Sequence, residues 1–109
     1  MNSEPFWDND GTPPRNPPIR DTTLFPLGQL AATPGAIAAI PQKTIIHALG
    51  RHARGDWGEV DEEDKAANDL ALKVGARLLS AYESANRTRF WIITEADRSV
   101  TTILLPGEY

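Results

Sequence analysis

The chain closes on two runs in which apolar residues alternate between faces. Arg89-Phe90-Trp91-Ile92-Ile93-Thr94-Glu95 leads into a polar break, Ala96-Asp97-Arg98. Ser99-Val100-Thr101-Thr102-Ile103-Leu104-Leu105-Pro106 follows. Runs rich in β-branched and aromatic residues about a short polar break predict a β-hairpin. Strand periodicity sets Phe90, Ile92 and Thr94 on one face, with Trp91 and Ile93 on the other. Val100, Thr102 and Leu104 separate in the same way from Thr101, Ile103 and Leu105. Neither face is purely polar. The pattern therefore predicts central strands covered by helices on one side and partly covered on the other.

The remaining elements are read from the start of the chain. Leu24 to Ala32 predicts a first strand, which Pro26 places at an edge or delays. Thr33-Pro34 is a helix start, with Thr as N-cap and Pro in the first position. The helix Gly35–Ile40 stops at Pro41, and a second helix runs from about Gln42 to His52. Ile45, Ile46, Leu49 and Ala53 mark that helix's apolar side. Gly55-Asp56-Trp57-Gly58 predicts a tight turn. A third helix is capped by Asp61, with Glu62, Glu63 and Asp64 at the positive end of its dipole. Ala66, Ala67, Leu70, Ala71 and Val74 form its expected inward stripe, and Gly75 its stop. Arg77 to Glu83 is a strand that turns through Ser84–Thr88 into the hairpin. The order is β-α-α-α-β-β-β. It predicts an α+β fold, an antiparallel sheet of about four strands with helices packed on one face.

Composition narrows the class. Residues 1–21 hold Pro5, Pro13, Pro14, Pro17 and Pro18 among polar residues, so a disordered tail is expected there. Residues 22–109 are expected to form a single domain. The adjacent pair Phe6-Trp7 is expected to dock on the domain's own surface or to have no role. The chain has no cysteine, which excludes disulfides, thiolate metal sites and cysteine nucleophiles. No run approaches a membrane span, and Glu4, Asp8 and Asp10 stand where a signal peptide is basic. A cytoplasmic protein with no membrane contact is the expectation. A net charge of −4 disfavours sequence-independent binding to phosphates.

Three constellations are candidates for chemistry. His47, His52 and Asp56 lie close in sequence, but histidines five apart diverge on a helix and do not chelate as an i, i+4 pair would. His52 is instead expected to cap the second helix and orient the glycine turn. The acidic run from Asp56 to Asp64 complements a helix dipole, and it also suits a basic protein partner. Its candidate partner-binding residues are Asp56, Trp57, Glu59, Glu62 and Glu63. The third set, Arg77, Tyr82, Arg87, Arg89, Trp91 and Arg98, interleaves arginine with aromatics, as RNA-binding surfaces do. A solvated sheet face with arginine covering tryptophan is the simpler account of the same residues. No catalytic triad, phosphate-binding loop or dinucleotide fingerprint is present, and no metal or cofactor is called for.

Several motifs together resemble a known family. They are Gly55-Asp56-Trp57-Gly58, Asp64, Asn68, Leu72 and the run Gly75-Ala76-Arg77-Leu78-Leu79-Ser80-Ala81-Tyr82. Trp91-Ile92-Ile93-Thr94-Glu95-Ala96-Asp97-Arg98-Ser99 and Leu104-Leu105-Pro106 complete the pattern. It resembles a group of small "plasmid-related" proteins of bacterial plasmids and integrated mobile elements, over about Phe25 to Tyr109. The resemblance implies a genomic setting and brings no catalytic residues. The order of elements is also similar, in topology alone, to bacterial mRNA-cleaving toxins that act on the ribosome. Size, acidity and that setting lead to one expectation: a non-enzymatic accessory protein of a mobile element that binds a protein. Inhibition of a host defence system that recognises nucleic acid would suit it. The alternative is a ribonuclease toxin or RNA-binding protein that uses the sheet arginines. A homodimer is compatible with either.

Overall fold

The computed structural model describes residues 23–109, so the proline-rich segment and Phe6-Trp7 lie outside the described residues. The elements are β1 (Gln29–Ala32), α1 (Pro34–Ala39), α2 (Gln42–Ala53), α3 (Glu62–Val74), β2 (Leu78–Glu83), β3 (Arg89–Thr94) and β4 (Val100–Leu104). A 3-10 turn, Pro106–Glu108, follows. The expected order and the α+β class hold.

The sheet order is β1-β4-β3-β2. Strands β2, β3 and β4 are antiparallel neighbours, with Phe90 opposite Tyr82 and Ile92 opposite Ile103. β1, however, runs parallel to β4, so the sheet is mixed and not antiparallel throughout. No hairpin joins β1 to a neighbour. It reaches its place through the helices, and a crossover of that length permits parallel pairing. Pro26 acts as expected: pairing begins only at Gln29, at the edge. Between them Gly28 adopts a φ of +68°, and a Cβ there would collide with the Arg98 and Ser99 carbonyls.

Alternation fixes the two faces. Phe90, Ile92, Ile103 and Tyr82 pack with Ala36, Ile40, Ala48 and Leu49 of α1 and α2. Phe90 and Ile92 are wholly buried. Ile46, expected on the inner side of α2, is exposed. A second cluster, Phe25, Trp57, Ala71 and Leu78, sits toward α3.

α3 has the expected ends. Asp61 accepts from the Asp64 N–H at 2.8 Å, three acidic residues fill the first turn, and Gly75 is the C-cap. Its orientation is not the expected one. Asn68 and Ala71 are buried, whereas Ala66, Ala67, Leu70 and Val74 face outward. The edge of β2 sets this orientation. Asn68 donates from Nδ2 to the Leu79 carbonyl at 2.8 Å, and its Oδ1 accepts from the Leu79 N–H at 3.1 Å. Orphaning two part-buried backbone groups costs about 1–3 kcal/mol each. Burying one leucine returns about 1.5–3 kcal/mol. Satisfying the strand edge therefore wins.

Candidate functional site

The Gly55-Asp56-Trp57-Gly58 turn folds between the end of α2 and the edge of β2. Asp56 donates its N–H to Arg51 O at 2.9 Å. Its carboxylate accepts twice from the Arg51 guanidinium, at 2.7 and 3.1 Å. That bond holds the Asp56 carboxyl below the usual carboxylate range against the opposing effect of burial. Tyr82 donates its hydroxyl to Asp56 O at 2.6 Å, and burial pushes the phenol up to about 12. Gly58 then runs against β2, with Glu59 N–H on Ala81 O at 2.7 Å and Ala81 N–H on Trp57 O at 3.1 Å. At a φ of +77° its missing Cβ leaves room for the Ala81 carbonyl and the Tyr82 ring.

Trp57 is a core residue. Only 4% exposed, it stacks on Phe25 at 6.3 Å and meets His52 edge-on at 5.7 Å. Its Nε1–H donates to Asp69 Oδ1 at 3.2 Å. With the ring enclosed and its polar atom satisfied, Trp57 has no surface to offer a partner, contrary to the sequence expectation.

His52 also turns inward instead of capping the helix. Its ring is fully buried, with Nδ1 2.5 Å from Ser80 Oγ and Nε2 2.9 Å from Thr94 Oγ1. Thr94 Oγ1 lies 2.7 Å from Thr101 Oγ1, which donates to Leu27 O at 2.6 Å. A carbonyl only accepts, so the direction of the whole chain follows from its last member. Thr101 donates to Leu27, Thr94 donates to Thr101, and His52 donates from Nε2 to Thr94. Nδ1 then accepts from Ser80, so the network assigns the Nε2–H tautomer. Burial, aided by the positive charge of Arg98, lowers the His52 pKa to about 4. A neutral, sealed and fully bonded imidazole meets no substrate. His47 is exposed on α2, and no three His, Cys, Asp or Glu side chains among the described residues are placed to hold a metal.

The outer surface of α3 is different. Glu62, Glu63 and Asp64 are exposed in its first turn, and Glu62 pairs with Lys65 at 3.4 Å. Glu63, Ala66, Ala67, Leu70 and Val74 follow one stripe at helical spacing, and all are exposed. Leu70 is 58% exposed and Val74 66%. Of the predicted acidic set, Glu62 and Glu63 stand on the surface here. Asp56 and Glu59 are exposed but engaged by Arg51 and Arg89, and Trp57 is inside.

The predicted RNA-binding set does not assemble. Tyr82 is buried under the helices. Arg98 donates to the carbonyls of Ala76 at 2.6 Å, Glu95 at 3.1 Å and Ala71 at 3.2 Å, and lies over the Phe25 ring. It ties the hairpin turn to the end of α3. Each of the other arginines already has a carboxylate: Arg77 with Glu95 at 3.4 Å, Arg87 with Glu83 at 3.4 Å, Arg89 with Glu59 at 3.5 Å. Exposed pairs like these add at most about 1 kcal/mol of stability. They do cancel the positive field that phosphates would need. Trp91 is half-buried against Tyr109, ring centroids 5.7 Å apart. A shallow hollow at the hairpin turn, lined by Glu95, Ala96, Asp97 and Ser99, holds only the turn's own polar groups.

Four residues that organise this region, Asn68, Ser80, Thr94 and Thr101, stand in the sequence only as members of motifs or strand runs, with no role of their own. Their signal was a polar side chain at a core-facing position of a periodic element. No family model, curated protein or solved structure matches the chain.

Proposed function

We propose that this is a non-enzymatic binding protein that docks another protein on the outer surface of α3. The observation that carries the proposal is the exposure of Leu70 and Val74, 58% and 66%, on a helix whose inner side is already complete. Glu62 and Glu63 border that stripe at its N-terminal end, and Glu59 precedes the helix. An apolar ridge rimmed by acid suits a basic partner, with charge directing encounter and the ridge supplying buried area. The resemblance to plasmid-related proteins supports a bacterial mobile element as the setting in which such an accessory protein acts. A host defence protein that recognises nucleic acid would present the required basic groove. The alternative RNA-directed reading has less support, because the sheet arginines are paired and His52 is sealed.

Two triple variants test it. Replacing Glu59, Glu62 and Glu63 by glutamine is expected to weaken capture of the partner from host lysate and to flatten its salt dependence. Screening over about 8 Å at physiological ionic strength makes that salt dependence readable. Replacing Arg77, Arg87 and Arg89 by alanine is expected to leave capture intact, and the wild-type protein should not retain a labelled RNA. If the arginine variant loses binding while the glutamine variant keeps it, the α3 reading is wrong.

A further inference from the structure

The two edges of the sheet are finished differently. Along β2, Leu79 is satisfied by the Asn68 amide, and Ala81 by Trp57 and Glu59. Among the described residues β1 has no such cover. Gln29 N–H bonds to Ser99 O at 2.9 Å and Thr33 N–H to Ile103 O at 3.0 Å, so the odd-numbered residues face β4. Parallel pairing in that register turns the N–H and C=O groups of Leu30 and Ala32 away from the sheet. Among the described residues nothing bonds to them. Exposed edges normally carry a charge, a proline or a bulge that prevents pairing with another chain. β1 carries none, and residues 22–42 include no charged side chain in a chain that is 24% charged. Leu30 is 53% exposed on the strand itself, and Ile37 is 64% exposed on the next element.

We propose that a second copy of the chain pairs antiparallel with β1, joining the two sheets into one. Charge selects this occupant. Two chains of net charge −4 repel wherever their acidic surfaces meet, and the β1 edge is a place where neither contributes a charge. A basic partner gains nothing from that edge. The register follows from the backbone. Gly28, at a φ of +68°, ends the extended run on one side, and the helix beginning at Pro34 ends it on the other. Thr33 is still extended, at φ −72° and ψ 155°. The run Gln29 to Thr33 centres on Ala31, so a two-fold axis there sets Leu30 opposite the partner's Ala32. Each of these two equivalent pairs exchanges both backbone hydrogen bonds, and Ala31 faces the partner's Ala31. This surface is separate from the α3 stripe, and its test needs only the protein itself.

The absence of cysteine makes a single introduced thiol informative. Ala31 is exposed, and opposed residues at such a non-hydrogen-bonded position lie about 4.5 Å apart at Cα, within the range a disulfide spans. Under mild oxidation the full-length Ala31→Cys protein is expected to become a covalent dimer at least about tenfold faster than a Leu70→Cys control, whose thiol stands on an unpaired helix. In sedimentation equilibrium the wild-type chain should show a concentration-dependent dimer. Leu30→Lys should raise its dissociation constant about tenfold or more, with far-UV circular dichroism and melting unchanged, because the charge sits on the edge and not in the core. Equal cross-linking rates at the two positions overturn the proposal. So does a Leu30→Lys protein that associates like wild type, or a wild-type chain that stays monomeric through the millimolar range.

Discussion

Replacing His52 by alanine is expected to cost on the order of 3–5 kcal/mol, read by urea denaturation at pH 7. The ring is fully buried, so its loss leaves a cavity beside Phe25 and Trp57. It also strips an acceptor from Ser80 and a donor from Thr94, both wholly buried. Domains of this kind hold only about 5–15 kcal/mol in total, so the variant should stand near the limit of folding. The same ring predicts a pH dependence in the wild-type protein. His52 titrates at about 4 in the folded state against 6.5 in the unfolded chain. Between those values the unfolded state binds a proton that the folded state refuses. Stability is therefore complete above pH 6.5 and falls as the pH drops toward 4, by about 3 kcal/mol at most. Asp56, Asp97 and Glu108, whose carboxyls titrate below their usual range, add a loss of the same sign that begins as the pH approaches their ordinary values near 4 and continues below them. Stability flat from pH 7 to 4.5 would rule out the buried neutral histidine. The wild-type slope carries this test even if the alanine variant fails to fold.

Trp57→Ala is expected to be as damaging, about 3–5 kcal/mol in the same assay. Trp57 fills the junction of α2, α3 and the Phe25 segment, and its Nε1–H is bonded to Asp69. Trp57→Phe keeps much of the ring and gives up that bond, so a loss of about 1–2 kcal/mol is expected. An alanine variant as stable as wild type would return Trp57 to the surface and restore it as a partner contact.

Periodicity and capping made most of the fold legible. The hairpin faces, the Asp61 cap, the Gly75 stop and the late start of β1 after Pro26 are all local signals, and each holds. The direction of β1 was not local. Nothing in Leu24 to Ala32 records which way a distant β4 runs. The facing of α3 was read from its apolar residues alone, whereas a single asparagine decides it. Asn68 can be recognised as inward only once the unpaired edge of β2 is in place beside it. His52 shows the same limit: its partners lie on β2 and β3, 28 and 42 residues away. The acidic residues were legible as surface because charge is costly to bury. Trp57 was not, because an aromatic ring between glycines suits either a core or a contact.

The outward stripe of α3 is the central claim, and the double variant Leu70→Gln/Val74→Gln measures it most directly. Glutamine is a good helix former, so α3 should persist. Exposed substitutions of this kind change stability by about 0.5 kcal/mol or less, a shift in melting temperature of about 2–4 °C. Alongside that near-wild-type melt, capture of the partner from host lysate should fall by more than about tenfold, as when apolar anchors leave an interface. A melting temperature lowered by about 8 °C or more would place Leu70 and Val74 in the core, and undiminished capture would place the partner elsewhere. Either result contradicts the account.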